Sequence, residues 1–147
     1  MLSEKVAIVT GASRGIGRSI ALALAAQGAK VVASARNAEA LDNLVAEIEG
    51  LGGEATAVAG DVAVAADAAR LIEQAVAAYG QLDILVNNAG ITRDGLLLRM
   101  KDEDWDAVID TNLKGAFLCI RAAAKVMSKQ RSGRIINISS VVGEMGN

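Results

Sequence analysis

Residues 10–17 of the chain read Thr10-Gly11-Ala12-Ser13-Arg14-Gly15-Ile16-Gly17. An apolar strand pattern, Val6-Ala7-Ile8-Val9, precedes this glycine-rich run, and a helical pattern of apolar residues begins at Ile16. Glycines between a strand and a helix allow a tight turn and bring bare backbone N–H groups against a diphosphate. The alternative is a glycine-rich turn without a ligand, but the flanking strand and helix are the context that a nucleotide-binding loop requires.

The rest of the chain alternates short apolar strands with amphipathic helices, without a linker, an internal repeat or a low-complexity tract. We predict strands at about 5–10, 30–35, 54–59, 82–87 and 134–139, and helices at about 15–27, 38–51, 65–79 and 103–129. Strands such as Ile84-Leu85-Val86 and Ile135-Ile136 are apolar on both faces, which is typical of a parallel sheet covered by helices on each side. The pattern predicts one α/β domain over residues 1–147, a Rossmann-type doubly wound parallel sheet of five strands in the order 3-2-1-4-5.

Composition restricts the class of protein. Hydrophobic residues make up 52% of the 147 residues and charged residues 22%, as in a folded domain, and the net charge of −2 argues against a nucleic-acid partner. No apolar run is long enough to span a membrane, and the short segment before the first strand leaves no room for a signal peptide. The lone Cys119 suits a reducing compartment, and we expect a cytoplasmic protein. Histidine is absent, so acid–base chemistry must use Tyr, Lys or a carboxylate with a shifted pKa, and we expect no metal.

The end of the second strand indicates which dinucleotide would bind. Ser34-Ala35-Arg36 follows that strand, and no acid occurs until Glu39. An NAD-selective site normally places a carboxylate here, whereas an NADP site offers a cation to the 2′-phosphate. Arg36, together with Arg14 of the glycine-rich run, is suited to charge-assisted contacts with that phosphate. The alternative is that both are ordinary solvated arginines. The pair favours NADP.

The spacing Gly-x-x-x-Gly-x-Gly after Thr10, with Asn87-Asn88-Ala89-Gly90 after the fourth strand, resembles the short-chain dehydrogenase/reductase family. The resemblance implies that the cofactor is NADP(H) and that Asp61, with the N–H of Val62, holds the adenine ring. The alternative for Asp61 is a plain helix N-cap. The resemblance implies the following cofactor-binding residues: Gly11, Ala12, Ser13, Arg14, Gly15, Ile16, Gly17, Arg36, Asp61, Val62, Asn88, Ala89 and Gly90.

Two catalytic residues are also implied. Asn112 lies in the middle of the predicted long helix, three residues before Gly115, and both residues weaken a helix interior. We therefore predict a local distortion there, where the family has a catalytic Asn that holds a water of the proton relay. A satisfied buried Asn is the alternative. In the segment 137–143 we assign the family's catalytic serine to Ser140 rather than Ser139, with its hydroxyl on the substrate carbonyl oxygen. Either serine is otherwise a turn or cap residue.

The family's general acid is the Tyr of a Tyr-x-x-x-Lys pair that follows the catalytic serine. The sequence ends at Asn147 before that position, and its single tyrosine, Tyr79, has no Lys four residues later. We expect a C-terminally incomplete family member that lacks the later strands and the Tyr-Lys pair. Two explanations remain open at this point: a portion of a longer enzyme, or a truncated chain that binds the cofactor without turnover.

Two longer runs resemble one branch of the family. Residues 90–101 and 133–147 resemble the β-ketoacyl–acyl carrier protein reductases of type II fatty acid synthesis. The resemblance implies NADPH-dependent reduction of a 3-oxoacyl–acyl carrier protein to the 3-hydroxyacyl form. The alternatives are a reductase of acetoacetyl-coenzyme A or another 3-oxo substrate, and a non-catalytic NADP-binding fragment.

The resemblance also implies partners. The substrate would arrive on acyl carrier protein, and the complete protein would form a homotetramer through the long helix. Small residues of that helix fit either close helix approach or burial on the sheet: Ala107, Gly115, Ala116, Ala122 and Ala123. Four cations lie near the end of that helix, namely Lys125, Lys129, Arg131 and Arg134. We expect them at the rim of the site, where an acidic carrier protein would dock. The alternative is that they complement the negative end of the helix dipole.

Overall fold

Strands and helices alternate along the computed structural model, which describes residues 1–89 and 101–138. Its strands are β1 (Val6–Thr10), β2 (Lys30–Ala35), β3 (Glu54–Ala59), β4 (Ile84–Asn87) and β5 (Arg134–Asn137). Its helices are α1 (Gly15–Ala26), α2 (Ala38–Gly50), α3 (Ala65–Tyr79), α4 (Asp102–Ile109) and α5 (Gly115–Gln130), and a π-helical turn (Asp110–Lys114) joins α4 to α5.

The strands form one parallel sheet in the order β3-β2-β1-β4-β5, as predicted. β1 lies at the centre, where Ile8 is in register with Val32 of β2 on one side and with Leu85 of β4 on the other. The chain therefore leaves β1 toward β2 and later returns to the opposite side to form β4. Such a reversal places a crevice at the carboxyl ends of β1 and β4, where ligands of open α/β sheets bind.

The core consists of two aliphatic layers, one on each face of the sheet. Ile8 packs in the layer with α3 and α5, whose members include Leu71 and Cys119. Its neighbour Val9 packs in the opposite layer, with Leu44 of α2. This alternation explains why the central strands are apolar throughout, since both of their faces are covered by helices.

The fourth strand begins two residues later than predicted. Leu82 precedes it and uses the side chain of Gln130 as its partner: the Leu82 N–H donates to Oε1 at 2.9 Å, and Nε2 donates to the Leu82 carbonyl at 2.7 Å. The carboxylate of Asp83 accepts the N–H of Val6 at 2.8 Å. Side chains thus provide part of the hydrogen bonding at positions 82 and 83, where the sequence pattern predicts a strand.

β5 is an edge strand of the described sheet and is less covered than the other strands. Ile135 is 36% exposed and Ile136 46% exposed within the described part of the chain, because helices of that part cover mainly β1 to β4. The coverage of β5 on both faces therefore stays a prediction. β5 ends at Asn137, and position 139, the predicted end, lies outside the described residues.

The long helix predicted at 103–129 is interrupted. The π-helical turn contains Asn112 and ends directly before Gly115, so the local distortion expected from these two residues is confirmed. Across the described ranges, none of the helices has the length and apolarity that crossing a bilayer demands.

Candidate functional site

An open cleft of about 540 Å³ lies at the carboxyl ends of the first four strands. Each of these strand ends contributes to its walls. The lining residues are Gly11, Ser13, Arg14, Gly15, Ile16, Ser34, Ala35, Arg36, Asn37, Gly60, Asp61, Val62, Asn88 and Ala89. The structure therefore brings together most of the residues that the sequence assigns to cofactor binding.

The glycine-rich loop closes tightly on the end of β4. Gly11 and Gly15 have φ angles of 62° and 59°, in the left-handed region that favours glycine. A β-carbon on Gly11 would lie 2.8 Å from Ala89 Cα, and one on Gly17 would overlap the Gly11 carbonyl and the Asn88 amide. The loop can lie this close to the strand only because these positions carry no side chain.

Helix α1 points its N-terminus at the cleft. Its first two residues, Gly15 and Ile16, line the cleft, and Arg14 before them is extended. No side chain of the described residues caps this end. The first N–H groups of a helix have no partner within the helix and carry a partial positive charge, so they are suited to a phosphate.

Thr10 holds the loop in place. Its buried hydroxyl oxygen accepts the N–H groups of Asn88 at 3.0 Å and Ala89 at 2.9 Å, and the hydroxyl donates to the Val86 carbonyl at 3.4 Å. The side-chain amide of Asn88 donates to the Gly11 carbonyl at 3.2 Å. The list of site residues predicted from the sequence omits Thr10, although a hydroxyl residue that ends an aliphatic strand was a usable signal.

Two predicted residues lie beneath the cleft instead of lining it. Ala12 is fully buried, and its N–H donates to the Ser34 carbonyl at 3.1 Å, which ties the loop to the end of β2. Gly17 is buried under Gly11 and Asn88. Both therefore shape the cleft from below. Among the lining residues, Ser34, Ala35, Asn37 and Gly60 were not predicted.

Arg14 and Arg36 face the cleft from two different strand ends. Both are exposed, and within the described residues neither forms an ion pair, whereas the nearby Arg18 is paired with Glu47 of α2. Asp61 is the only acid among the lining residues. The side of the cleft near β2 therefore carries two positive charges without a described counter-ion.

Asp61 lies in the turn that follows β3. Its Oδ1 accepts the N–H of Ala63 at 2.9 Å, and its own N–H donates to Asp67 Oδ2 at 2.9 Å. The N-cap of α3 is Val64, so Asp61 is not the helix N-cap that the sequence left as an alternative. Val62 is 8% exposed and lines the cleft beside Asp61.

Asn112 is half-buried in the π-helical turn and has a bonding partner, but it is not among the lining residues of the cleft. Gly115, directly after the turn, packs against Val62 of the cleft wall. Gly90, Ser139 and Ser140 lie outside the described residues. The catalytic roles of Asn112 and Ser140 therefore stay predictions.

The expected position of the basic cluster at the rim of the site is wrong. Arg134 is in register with Ile84 at the beginning of β4, and its N–H donates to the Asp83 carbonyl at 2.8 Å. The crossover helix α5 runs antiparallel to the strands, so its last turn lies near their amino ends, whereas the cleft lies at their carboxyl ends. The exposed cations at this end of the sheet include Lys125, Lys129, Arg131 and Arg134.

Sequence comparison connects these features to known proteins. A family model described as short chain dehydrogenase matches residues 5–147. A 3-oxoacyl-acyl-carrier-protein reductase of Synechocystis sp. is 60% identical over an alignment of 147 positions, which covers 99% of this chain and 60% of that protein. The 3-oxoacyl-acyl-carrier-protein reductase FabG of Staphylococcus aureus is 54% identical over an alignment of 148 positions, which covers 100% of this chain and 60% of that protein. The chain thus spans about 60% of the length of these relatives.

Two crystal structures are similar over nearly the whole chain. A metagenomic short-chain oxidoreductase in complex with NADP superposes with a TM-score of 0.91 and 46% identity, covering 97% of this chain and 65% of that one. A putative short-chain alcohol dehydrogenase from Sinorhizobium meliloti gives a TM-score of 0.94 with 44% identity, covering 99% of this chain and 58% of that one.

Proposed function

Because the chain belongs to the short-chain dehydrogenase family, we propose that it is part of an NADPH-dependent oxidoreductase that reduces a 3-oxoacyl group on acyl carrier protein to the 3-hydroxyacyl group. The substrate class is supported by the relatives from Synechocystis sp. and Staphylococcus aureus, which are named for that reaction. The preference for NADPH is carried by one observation in this chain: Arg14 and Arg36 line the same cleft without a described counter-ion.

The residues of the cleft fit an NADP molecule. The glycine loop lies directly against the end of β4, where a β-carbon on Gly11 would clash with Ala89, and the uncapped start of α1 offers N–H groups to a diphosphate. Arg14 and Arg36 would hold the 2′-phosphate, and Asp61 with Val62 would contact the adenine. The structural neighbour that was crystallised with NADP supports this placement. When bound, the reduced nicotinamide supplies the hydride for the reaction.

Of the catalytic residues we assign two, both by similarity to the family. Ser140 would donate a hydrogen bond to the substrate carbonyl oxygen and stabilise the developing negative charge. Asn112 would hold a water of the proton relay, and its place in a π-helical turn supports a specialised backbone geometry there. Tyr79 takes no part, because its hydroxyl lies 2.8 Å from Thr56 Oγ1, at the end of α3 that points away from the cleft.

We also propose that the chain is a single dinucleotide-binding domain of a cytoplasmic homotetramer. One continuous sheet with a core layer on each face supports the single domain, and the lone buried Cys119 suits a reducing compartment. The tetramer is supported by large apolar side chains exposed around α4 and α5, namely Trp105, Leu113 and Phe117. The small residues of this region contribute less, since Gly115 and Ala123 are buried toward the sheet.

Two measurements test the proposal. Fluorescence titration should give a much tighter dissociation constant for NADPH than for NADH, and equal constants would contradict the roles of Arg14 and Arg36. Turnover of acetoacetyl–acyl carrier protein by the complete protein should then exceed its turnover of acetoacetyl-coenzyme A at equal concentration. The reverse order would indicate a coenzyme A reductase, and tight NADPH binding without turnover of either thioester would indicate a non-catalytic binding module.

A further inference from the structure

Two charged side chains of α3 form hydrogen bonds with the turn after β3, which forms one wall of the cleft. Asp67, in the first turn of α3, accepts the N–H of Asp61 on Oδ2 at 2.9 Å. Arg70 lies three residues later, and its Nη2 donates to the carbonyl of Ala59 at 2.6 Å. The two side chains are themselves 3.7 Å apart, between Arg70 Nη2 and Asp67 Oδ1. Asp67 and Arg70, here called the clamp, therefore hold the two backbone groups on either side of Gly60.

Gly60 leaves the space for this clamp. A β-carbon there would lie 2.9 Å from Arg70 Nη2 and 3.2 Å from Asp67 Oδ2. The N–H of Gly60 donates to the Ala35 carbonyl at 3.0 Å, which fastens the turn to the end of β2 as well. The turn after β3 is thus fixed from the sheet and from α3, although neither Asp67 nor Arg70 lines the cleft.

These hydrogen bonds fix the turn after β3 and, with it, the backbone of Asp61 at the wall of the cleft. Oδ1 of Asp61 accepts the Ala63 N–H at 2.9 Å, an arrangement that fixes the carboxyl group over its own backbone. Among the described residues, Oδ2 of the same carboxylate has no partner. Asp61 and Val62 both line the cleft, and the proposed function gives them the contact with adenine. A carboxylate oxygen and a backbone N–H are suited to the amino group and a ring nitrogen of that heterocycle.

We propose that Asp67 and Arg70 are positioning residues for the adenosine half of the nucleotide, because they hold Asp61 and Val62 in the orientation that binds it. This inference rests on the proposed function, in which the cleft binds NADP. The clamp lies on the side of the cleft formed by β3, and the glycine loop that would hold the remainder of the dinucleotide is fastened independently through Thr10 and Asn88. Loss of the clamp should therefore weaken one half of the ligand only.

The test uses the two halves of the dinucleotide as separate probes of the protein. Binding of adenosine 2′,5′-bisphosphate is measured by calorimetry and binding of nicotinamide mononucleotide by NMR titration. We expect Asp67→Ala to weaken adenosine bisphosphate about tenfold, which corresponds to about 1.4 kcal/mol, and to leave the mononucleotide unchanged. Asp67→Asn keeps an oxygen that accepts the Asp61 N–H, so it should recover most of the affinity. Arg70→Met should behave like Asp67→Ala.

Glu73→Gln is the matched control, because Glu73 is exposed on the same helix and lies outside the clamp. It should bind both probes like the unmodified protein. Equal losses for both probes in Asp67→Ala would show a general effect on folding and overturn the inference, as would an unchanged affinity for adenosine bisphosphate. Failure of the unmodified protein to bind either probe would overturn the proposed function, and this inference with it.

Discussion

The side chain of Val62 occupies the space that a β-carbon on Gly115 would need, since such a carbon would lie 2.6 Å from Val62 Cγ2. Val62 belongs to the wall of the cleft, whereas Gly115 begins α5 directly after the π-helical turn that contains Asn112. One contact therefore joins the proposed nucleotide site to the proposed catalytic turn.

We expect Gly115→Ala to lower the free energy of unfolding by about 1–3 kcal/mol, the usual cost of overpacking a well-filled core. In the complete protein it should also lower kcat, because either Val62 or the turn that holds Asn112 must move. The double variant Val62→Ala with Gly115→Ala removes Cγ2 from the clash and should recover much of both losses. Urea denaturation and steady-state kinetics on the four proteins of this double-mutant cycle measure the coupling.

Gly50→Ala is the control for the general effect of replacing a glycine, because a β-carbon at Gly50 would meet nothing within 4 Å. Because Gly50 ends α2 without a positive φ, we expect that variant to be more stable by up to about 1 kcal/mol and to leave kcat unchanged. Strictly additive effects of Val62→Ala and Gly115→Ala would show that the contact transmits nothing between the two sites.

The order of the strands and most of the cleft could be predicted because they depend on local patterns. The spacing of Gly11, Gly15 and Gly17 after an apolar strand predicts the loop, and alternation of strands with helices predicts the parallel sheet. Asn112 and Gly115 likewise predict a distorted helix, since both residues are intrinsically unfavourable in a helix interior. Each of these signals is contained within a few residues of the chain.

The features that were missed depend on long-range geometry. The hydroxyl of Thr10 at the end of an aliphatic strand marks it as a candidate, but the N–H groups that it binds lie 78 and 79 residues away, and no local pattern identifies them. The clamp of Asp67 and Arg70 similarly acts on backbone groups of the preceding turn. The position of the basic cluster around Arg134 depends on the direction of α5, whose last turn lies at the opposite end of the sheet from the cleft.

The hydroxyl of Thr10 provides a second prediction. Thr10→Val keeps the shape of the side chain but leaves the N–H groups of Asn88 and Ala89 without their acceptor. We expect a loss of at least about 2 kcal/mol in the free energy of unfolding, because each buried unpaired donor costs about 1–3 kcal/mol. The weakened contact between loop and strand should also raise the dissociation constant for NADPH.

Thr10→Ser keeps the acceptor oxygen and removes only a methyl group, so its loss should be about 1 kcal/mol. Hydrogen exchange of the Asn88 and Ala89 amides gives a direct measurement, with faster exchange expected in Thr10→Val than in Thr10→Ser. Equal destabilisation of the two variants would show that the methyl group, rather than the hydroxyl, stabilises the loop.

The two arginines of the cleft give a third prediction. Arg36→Gln and Arg14→Gln should each weaken NADPH by about 10- to 100-fold, the range for loss of a hydrogen bond to a charged group. Affinity for NADH should stay nearly constant, because that molecule lacks the 2′-phosphate. Lys5→Gln removes an exposed cation at the opposite edge of the sheet and serves as the control. A parallel loss for both nucleotides would contradict selective recognition of the phosphate.

Cys119 gives a prediction on pH. Burial raises the pKa of the Cys119 thiol from 9.0 to about 11, because the thiolate would lose its hydration inside the core. In the unfolded chain the thiol begins to lose its proton near pH 9, while the folded protein keeps that proton until near pH 11. The unfolded state therefore binds fewer protons over this interval, and the free energy of unfolding must fall as the pH rises from 9 to 11.

The contribution of the protonated thiol to the free energy of unfolding is fully present below pH 9. By pH 11 it should have fallen by on the order of 2–3 kcal/mol. Cys119→Ala, although less stable through lost packing, should lack this part of the slope, so the difference between the two proteins isolates the thiol. Urea denaturation at several pH values measures the difference. The buried thiol should also resist alkylation at pH 8.5 until the protein unfolds, and rapid labelling of the folded protein would contradict the assigned burial, since only an accessible thiolate reacts.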